Sequence, residues 1–434
     1  MTTRHRLLAA ALLSLAASAL PAQEPRRLTL QEAVRLALES QPTMVRSRQG
    51  VRTAAMGERQ ALGAFLPTVT GSAIGSQSGA ERYNPATGQR VVNPFPYSEQ
   101  YGLSARMDLF TGFRRGANRR AASANADLAG ATATSAEYTT VRDAKIAFFA
   151  ALAAAELVTV AEAQVLRAGE QLNLVSEKLR LGATTRSDSL RSRVEFGNAQ
   201  LQLISANGTL LYTRLNLAAT VGVEGPVQPV SDSTLEIRLG PLDTATLRRE
   251  AMSSAPAIRQ AEATLAASSA ALAANRAQWL PTVSASASKN WSRSSGGIRD
   301  TIPFQPQWSI GLTVSYPIFN GFTREYNIAS ADAAVINARA TLRNARLALD
   351  AQLSQEIANL GGFAAQIDIA RVTVAAAEED LRMQRERYRL GTSTIVELLT
   401  SQSALSKAQA DLVQARFNYL VSRAKIEAIV GHSL

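Results

Sequence analysis

Phe65-Leu66-Pro67-Thr68-Val69 returns as Trp279-Leu280-Pro281-Thr282-Val283, 214 residues further along the chain. Leu109-Phe110-Thr111-Gly112-Phe113 returns as Ile318-Phe319-Asn320-Gly321-Phe322 after 209 residues. The same offset of 209 carries Leu179-Arg180-Leu181-Gly182 to Tyr388-Arg389-Leu390-Gly391, and Thr220-Val221-Gly222 to Ile429-Val430-Gly431. Spacing this regular marks a duplicated unit. The chain reads as two copies, 23–221 and 244–434. Between them, 222–243 is a linker rich in Gly and Pro (Gly225-Pro226, Pro229, Gly240-Pro241).

Each copy reads short helix, helix, strand, strand, very long helix, long helix. The first copy predicts helices over 29–40 and 42–64, with Pro42 opening the second. A strand pair follows within 67–110 (67–78 and 99–110), then a helical hairpin over 114–221 that turns at Gly182. The second copy predicts helices near 243–253 and 256–278, a strand pair within 281–318, and a hairpin over 323–430. The long helices carry heptads. Val158, Val165, Leu172 and Leu179 repeat every seven residues, as do Ile367, Val374, Leu381 and Tyr388. On the return helix Leu190, Val194, Gly197, Leu201, Ile204, Gly208, Leu211 and Leu215 alternate by four and three. Such spacing makes coiled-coil seams. At ~1.5 Å per residue, the longest helices reach ~100 Å.

The strands have a different period. Trp308, Ile310, Leu312, Val314 and Tyr316 alternate with Ser309, Gly311, Thr313 and Ser315. Tyr101, Leu103, Ala105, Met107 and Leu109 alternate with Gly102, Ser104, Arg106 and Asp108. Ten residues of apolar-out, polar-in alternation with aromatics near the ends is the pattern of a membrane β-barrel strand. A soluble sheet with one wet face fits any single strand equally well. Four strands cannot close a barrel, which starts at about eight, and open edges are not tolerated in lipid. Three copies supply twelve. The segments 79–98 and 293–306 read as polar outer loops.

Residues 1–22 read as a signal peptide: Arg4 and Arg6 precede the apolar run Leu7 to Leu20, and Leu20-Pro21-Ala22 offers a cleavage point. No later segment holds ~20 uninterrupted apolar residues, which argues against a helical membrane span. The chain has no cysteine, so neither a disulfide nor an N-terminal lipid-bearing Cys is available. It carries 46 basic and 35 acidic residues, and only Lys145, Lys178, Lys289, Lys407 and Lys425 are lysines. The arginines are scattered without interleaved aromatics, the pattern of solvated helix faces rather than of nucleic-acid binding. No phosphate-binding Gly loop or Gly-x-Ser-x-Gly elbow is present, and His432 is the one histidine past the signal. The composition supports neither an enzyme nor a cofactor or metal site.

The order and duplication of these motifs resemble the outer-membrane efflux proteins related to TolC. Leu28-Thr29-Leu30-Gln31-Glu32-Ala33, followed by Ala37-Leu38 and Pro42, resembles that family's opening signature. The Leu-Pro-Thr strand starts, the Phe-x-Gly-Phe exits and the Leu-Gly helix turns also fit. The resemblance implies a homotrimer whose twelve-stranded outer-membrane β-barrel continues into a twelve-helix periplasmic α-barrel. It implies a passive exit duct for efflux or type I secretion, served by a periplasmic adaptor and an inner-membrane pump and embedded in outer-membrane lipid. It further implies that Asp188 and Glu397 ring the periplasmic pore entrance, with Tyr388 helping to hold it closed. Thr400 stands where better-known members carry a second acid, and Ser393 where some carry a basic residue. Leu181, Gly182, Ala183 and Leu390, Gly391, Thr392 resemble adaptor-docking turns. Arg106 and Asp108 would face the barrel lumen.

Thr185-x-x-Asp188 and Thr394-x-x-Glu397 also read as helix capping boxes, and one residue can serve both roles. A periplasmic adaptor and a structural coiled-coil protein are the competing readings. The first would carry one hairpin flanked by compact β-domains; the second leaves the amphipathic strands unexplained.

Overall fold

A computed structural model describes residues 26–77, 79, 81–92, 97–230, 243–295 and 303–434. The signal peptide at 1–22 lies outside the described residues, as do much of the linker and parts of both outer loops. The helices are α1 (Leu30–Ser40), α2 (Pro42–Gly63), α3 (Arg114–Arg180), α4 (Arg186–Val221), α5 (Thr244–Ser254), α6 (Pro256–Arg276), α7 (Thr323–Arg389) and α8 (Ile395–Val430). The strands are β1 (Arg26–Leu28), β2 (Thr68–Gln77), β3 (Glu81–Asn84), β4 (Gln89–Val92), β5 (Tyr97–Phe110), β6 (Val227–Pro229), β7 (Thr282–Ser295) and β8 (Gln305–Ser315). The chain divides into two compact units, and α3 and α7 contribute a segment to each.

The first unit comprises Met1–Arg46, Thr134–Pro256 and Ala348–Leu434. Thr29 and Glu32 form a capping box that starts α1, a device worth about 1 kcal/mol. α1 packs on α4; Ala33 and Ala37 are buried on the first helix and Leu217 and Val221 on the second. Ser40 Oγ donates to the Val221 carbonyl at 2.8 Å. Gly222 ends α4 at φ +69°, and a Cβ there would strike Ser40. β1 pairs in parallel with β6, burying Leu28 and Val227. Thus the stretch read as linker contains a strand docked on α4. Three residues are too few to show a period. Ala154, Val158 and Leu210 join α3 to α4, while Val175, Leu381, Tyr388, Ile395, Leu398 and Leu405 form one apolar cluster of α3, α7 and α8. Polar links run along α3 and α8: Lys145 with Glu427, Glu156 with Arg416 at 3.2 Å, and Arg167 with Ser406 at 3.2 Å.

Among the described residues, the heptad seam of α4 is left largely uncovered. Leu190, Val194, Leu201, Ile204, Leu211 and Leu215 are 45–68% exposed. Helices α3 and α7 each hold an 18-residue stretch long and apolar enough, by length and composition alone, to cross a membrane. Neither is the run of ~20 uninterrupted apolar residues that a helical span calls for. Half of the first is buried inside the chain, as an alanine-rich coiled-coil helix requires.

The second unit comprises Ser47–Ala133 and Ala257–Leu347. Its antiparallel sheet has the order β2-β5-β7-β8. Register puts Val69, Ala105, Ala287 and Ile310 in one row and Thr70, Ser104, Ser288 and Ser309 in the next. The two faces therefore differ in polarity over these rows, while farther along Lys289, Glu99 and Arg293 fall on the apolar side; β2 and β8 are exposed along their whole length on this chain. The segment read as an outer loop over 79–98 contains the hairpin β3–β4, and both β5 and β7 extend further than the alternation showed.

Strands pass into helices through paired left-handed residues. Gly112 and Phe113 have φ +61° and +65°, and Gly321 and Phe322 have +63° and +62°. The Phe110 and Phe113 rings meet edge to face at 5.6 Å, and Phe319 and Phe322 at 5.5 Å. Arg115 lies 5.0 Å over Phe65, and Arg324 lies 3.4 Å over Trp279.

Candidate functional site

Two helix turns hold most of the candidate residues. α3 ends with Gly182 at φ +72°, where the Gly182 N–H donates to Leu179 O at 3.0 Å and the Ala183 N–H to Lys178 O at 2.8 Å. α7 ends alike, with Gly391 at φ +80°, its N–H on Tyr388 O at 3.2 Å, and the Thr392 N–H on Arg387 O at 2.9 Å. These bonds satisfy carbonyls that a helix end leaves orphaned, and glycine takes the left-handed position without a Cβ penalty. Leu181 and Leu390 project outward, 76% and 69% exposed.

Each turn then enters the next helix through a reciprocal cap. The Asp188 N–H donates to Thr185 Oγ1 at 3.2 Å, and the Thr185 N–H returns to Asp188 Oδ2 at 3.3 Å. The Glu397 N–H donates to Thr394 Oγ1 at 3.3 Å, and the Thr394 N–H to Glu397 Oε2 at 3.4 Å. A second hydroxyl serves each acid: Thr184 Oγ1 donates to Asp188 at 2.9 Å, and Ser393 Oγ to Glu397.

Burial pushes the Asp188 carboxyl up, but hydrogen bonds from Thr185 and Thr184 outweigh it and hold the pKa below the ordinary value. Glu397 is lowered chiefly by the Ser393 hydroxyl, with the Thr394 N–H adding to it. Both acids stay ionised at neutral pH, so they serve as caps and as fixed negative charge together.

Tyr388 is 6% exposed and packs in the cluster with Leu381 and Val175. Its hydroxyl is buried without a hydrogen bond. Burial raises its pKa; the Asp188 charge acts in the same direction, and the Thr184 hydroxyl opposes it without reaching bonding geometry. Lys178 Nζ sits 4.4 Å from the Tyr388 ring centroid. The structure thus gathers Lys178, Thr184, Asp188 and Tyr388, while Glu397 keeps Ser393 and Gln384 beside it. Thr400 is exposed and donates back to Val396 O at 2.8 Å. Sequence reasoning missed Lys178, whose one signal was to be a lysine in an arginine-rich chain.

Arg106 and Asp108 share the polar face of the sheet, their charged groups 3.9 Å apart, and Arg106 reaches Ser284 Oγ at 3.4 Å. Among the described residues no group of three or more His, Cys, Asp or Glu side chains is placed to hold a metal.

A family model described as "Outer membrane efflux protein" matches residues 33–223 and 247–432. Protein CyaE of Bordetella pertussis is 27% identical over 94% of this chain and 83% of its own. The probable efflux pump outer membrane protein TtgC of Pseudomonas putida is 24% identical over 85% of this chain and 75% of its own. The solved CmeC outer membrane channel of Campylobacter jejuni superposes with a TM-score of 0.79 at 17% identity, over 93% of this chain and 85% of that one.

Proposed function

Because the chain belongs to the outer membrane efflux protein family, we propose that three copies form a passive exit duct through the outer membrane. The chain is the outer-membrane channel component of an efflux or type I secretion system. In the proposed trimer, twelve strands close a barrel and twelve long helices form a periplasmic tunnel. Each subunit is a tandem pair, 23–221 and 244–434, joined through 222–243, with the signal 1–22 removed.

The α4 seam carries this proposal. Six large apolar side chains at heptad spacing, left uncovered, need a helix of another copy. The uncovered apolar sheet face and the unpaired outer edges of β2 and β8 need lipid and neighbouring strands for the same reason.

At the tunnel end, Asp188 and Glu397 form rings of three carboxylates that favour cations. Tyr388 holds the entrance closed with them, and Thr400 replaces a second acid. Arg106 and Asp108 tune the barrel lumen. The turns Leu181-Gly182-Ala183 and Leu390-Gly391-Thr392 receive the periplasmic adaptor, their exposed leucines entering its surface. An inner-membrane pump supplies the energy, and the duct itself catalyses no reaction.

Single-channel conductance of detergent-purified mature protein in a planar bilayer tests the reading. Small, cation-preferring conductance is expected. No channel from folded trimer would overturn it.

A further inference from the structure

The helix-ward end of the sheet carries an apolar collar followed at once by a cationic band. Leu66, Phe113, Ile318, Phe319, Phe322 and Tyr326 are 68–86% exposed. They continue the apolar face of the strands past the ends of β5 and β8. Immediately beyond Phe113, the first two turns of α3 hold Arg114, Arg115, Arg119 and Arg120, with no acid before Asp127.

Arg115 is occupied within the fold. It stacks on Phe65 and donates to Leu109 O at 3.0 Å and Ala64 O at 3.3 Å. Its counterpart 209 positions later, Arg324, is likewise turned inward, its side chain 7% exposed on Trp279 and paired with Glu325 at 3.2 Å. Arg114, Arg119 and Arg120 are different. All three are exposed, and among the described residues none makes an ion pair. The second strand-to-helix passage has Thr323, Glu325 and Tyr326 in this region, so the band belongs to the first passage alone.

We propose that Arg114, Arg119 and Arg120 bind the phosphates of anionic phospholipid headgroups in the leaflet facing the periplasm. The inference rests on the membrane-barrel reading above. Six residues of helix span about 9 Å, comparable with the ~5–8 Å headgroup zone on each side of a bilayer. Side chains that bury rings in the acyl boundary therefore set the neighbouring guanidiniums at phosphate depth. Guanidinium matches phosphate with paired donors, and each of these three exposed guanidiniums lacks an ion-pair partner among the described residues, leaving it to headgroups around the helix. Interfacial aromatics set the depth; arginines choose the headgroup.

The test reconstitutes wild type and Arg114→Gln/Arg119→Gln/Arg120→Gln into vesicles of phosphatidylcholine, with or without phosphatidylglycerol, and reads the thermal midpoint. Phosphatidylglycerol should raise the wild-type midpoint, and salt should shrink that rise. The triple variant should match wild type in phosphatidylcholine and lose the rise; the triple lysine variant should keep most of it. If the glutamine variant does not fold, Arg119→Gln and Arg120→Gln singly should each lose part of the rise. A full rise in the glutamine variants, or none in wild type, overturns the proposal. Wild type that alkaline carbonate washes from both vesicles overturns the membrane reading and this inference with it.

Discussion

Lys178 Nζ donates to the Tyr388 carbonyl at 2.7 Å and lies 4.4 Å from the centre of the same residue's ring. The two residues end different long helices, α3 and α7, and are separated by 210 positions in the chain. The last carbonyls of α7 are orphan acceptors at the negative end of a helix dipole. An ammonium delivered from α3 caps them, and its charge also meets the face of a ring held in the apolar cluster.

That tie predicts the effect of Lys178→Met, which keeps the aliphatic packing and removes the charge. Loss of a charged hydrogen bond and a cation–π contact should cost about 1–3 kcal/mol, seen as a lower thermal midpoint. Conductance in a planar bilayer should rise because α3 and α7 are no longer tied. Lys178→Arg should retain most of both properties. A methionine variant unchanged in midpoint and conductance would show that the tie contributes nothing.

Capping and charge can be separated at the two turns. Thr185→Ala and Thr394→Ala remove the cap and keep the acid, so each should cost about 1 kcal/mol and leave ion selectivity alone. Asp188→Asn and Glu397→Gln keep an acceptor and remove the charge, so selectivity should fall, together with the stability that the ionised carboxyls contribute. Both carboxyl pKa values are lowered in the fold. Their stabilisation is therefore present above the unfolded values, about 3.9 and 4.3, and is lost as pH falls through the lower folded ones. Cation preference should accordingly persist down to about pH 4. Selectivity unaltered in the Asn/Gln double variant would leave the two acids as caps alone.

What the sequence made legible is what short spacing controls. The Thr185-x-x-Asp188 and Thr394-x-x-Glu397 caps are written in four residues, and the left-handed ends at Gly182 and Gly391 in one. The polarity of β8 follows from strict alternation. Contacts set by distant pairing were hidden: Leu28 beside Pro229, and Lys178 beside Tyr388, meet across about two hundred positions with no local pattern to announce them. The α4 heptad was visible, but not its exposure on the single chain, since a seam looks the same whichever helix covers it.

The strand-to-helix passages give a contrast within one molecule. Gly112 and Gly321 both sit near φ +60°, where a Cβ costs about 1–2 kcal/mol. At Gly112 that Cβ would also lie 2.4 Å from Leu280 Cβ and 2.9 Å from Ala277 O, whereas at Gly321 it meets nothing within 4 Å. Gly112→Ala should therefore lower the thermal midpoint clearly more than Gly321→Ala. Equal effects would mean that the backbone conformation alone matters and that the packing of Gly112 on Leu280 relaxes freely.

The α4 seam makes the trimer testable apart from the fold. Leu201 and Ile204 are 67% and 68% exposed on the single chain, so replacing them removes little packing within a subunit. Exposed substitutions of this kind shift subunit stability by about 0.5 kcal/mol or less. Between copies, however, a polar side chain in the centre of an apolar seam is left buried without a partner, at a cost of about 1–3 kcal/mol per site, repeated at each of the three interfaces of the proposed trimer. Leu201→Gln/Ile204→Gln should thus keep native helical content in detergent while light scattering reports monomers in place of trimers. A variant that stays trimeric with an undiminished thermal midpoint would show that α4 faces lumen or solvent, and the subunits would have to join through another surface.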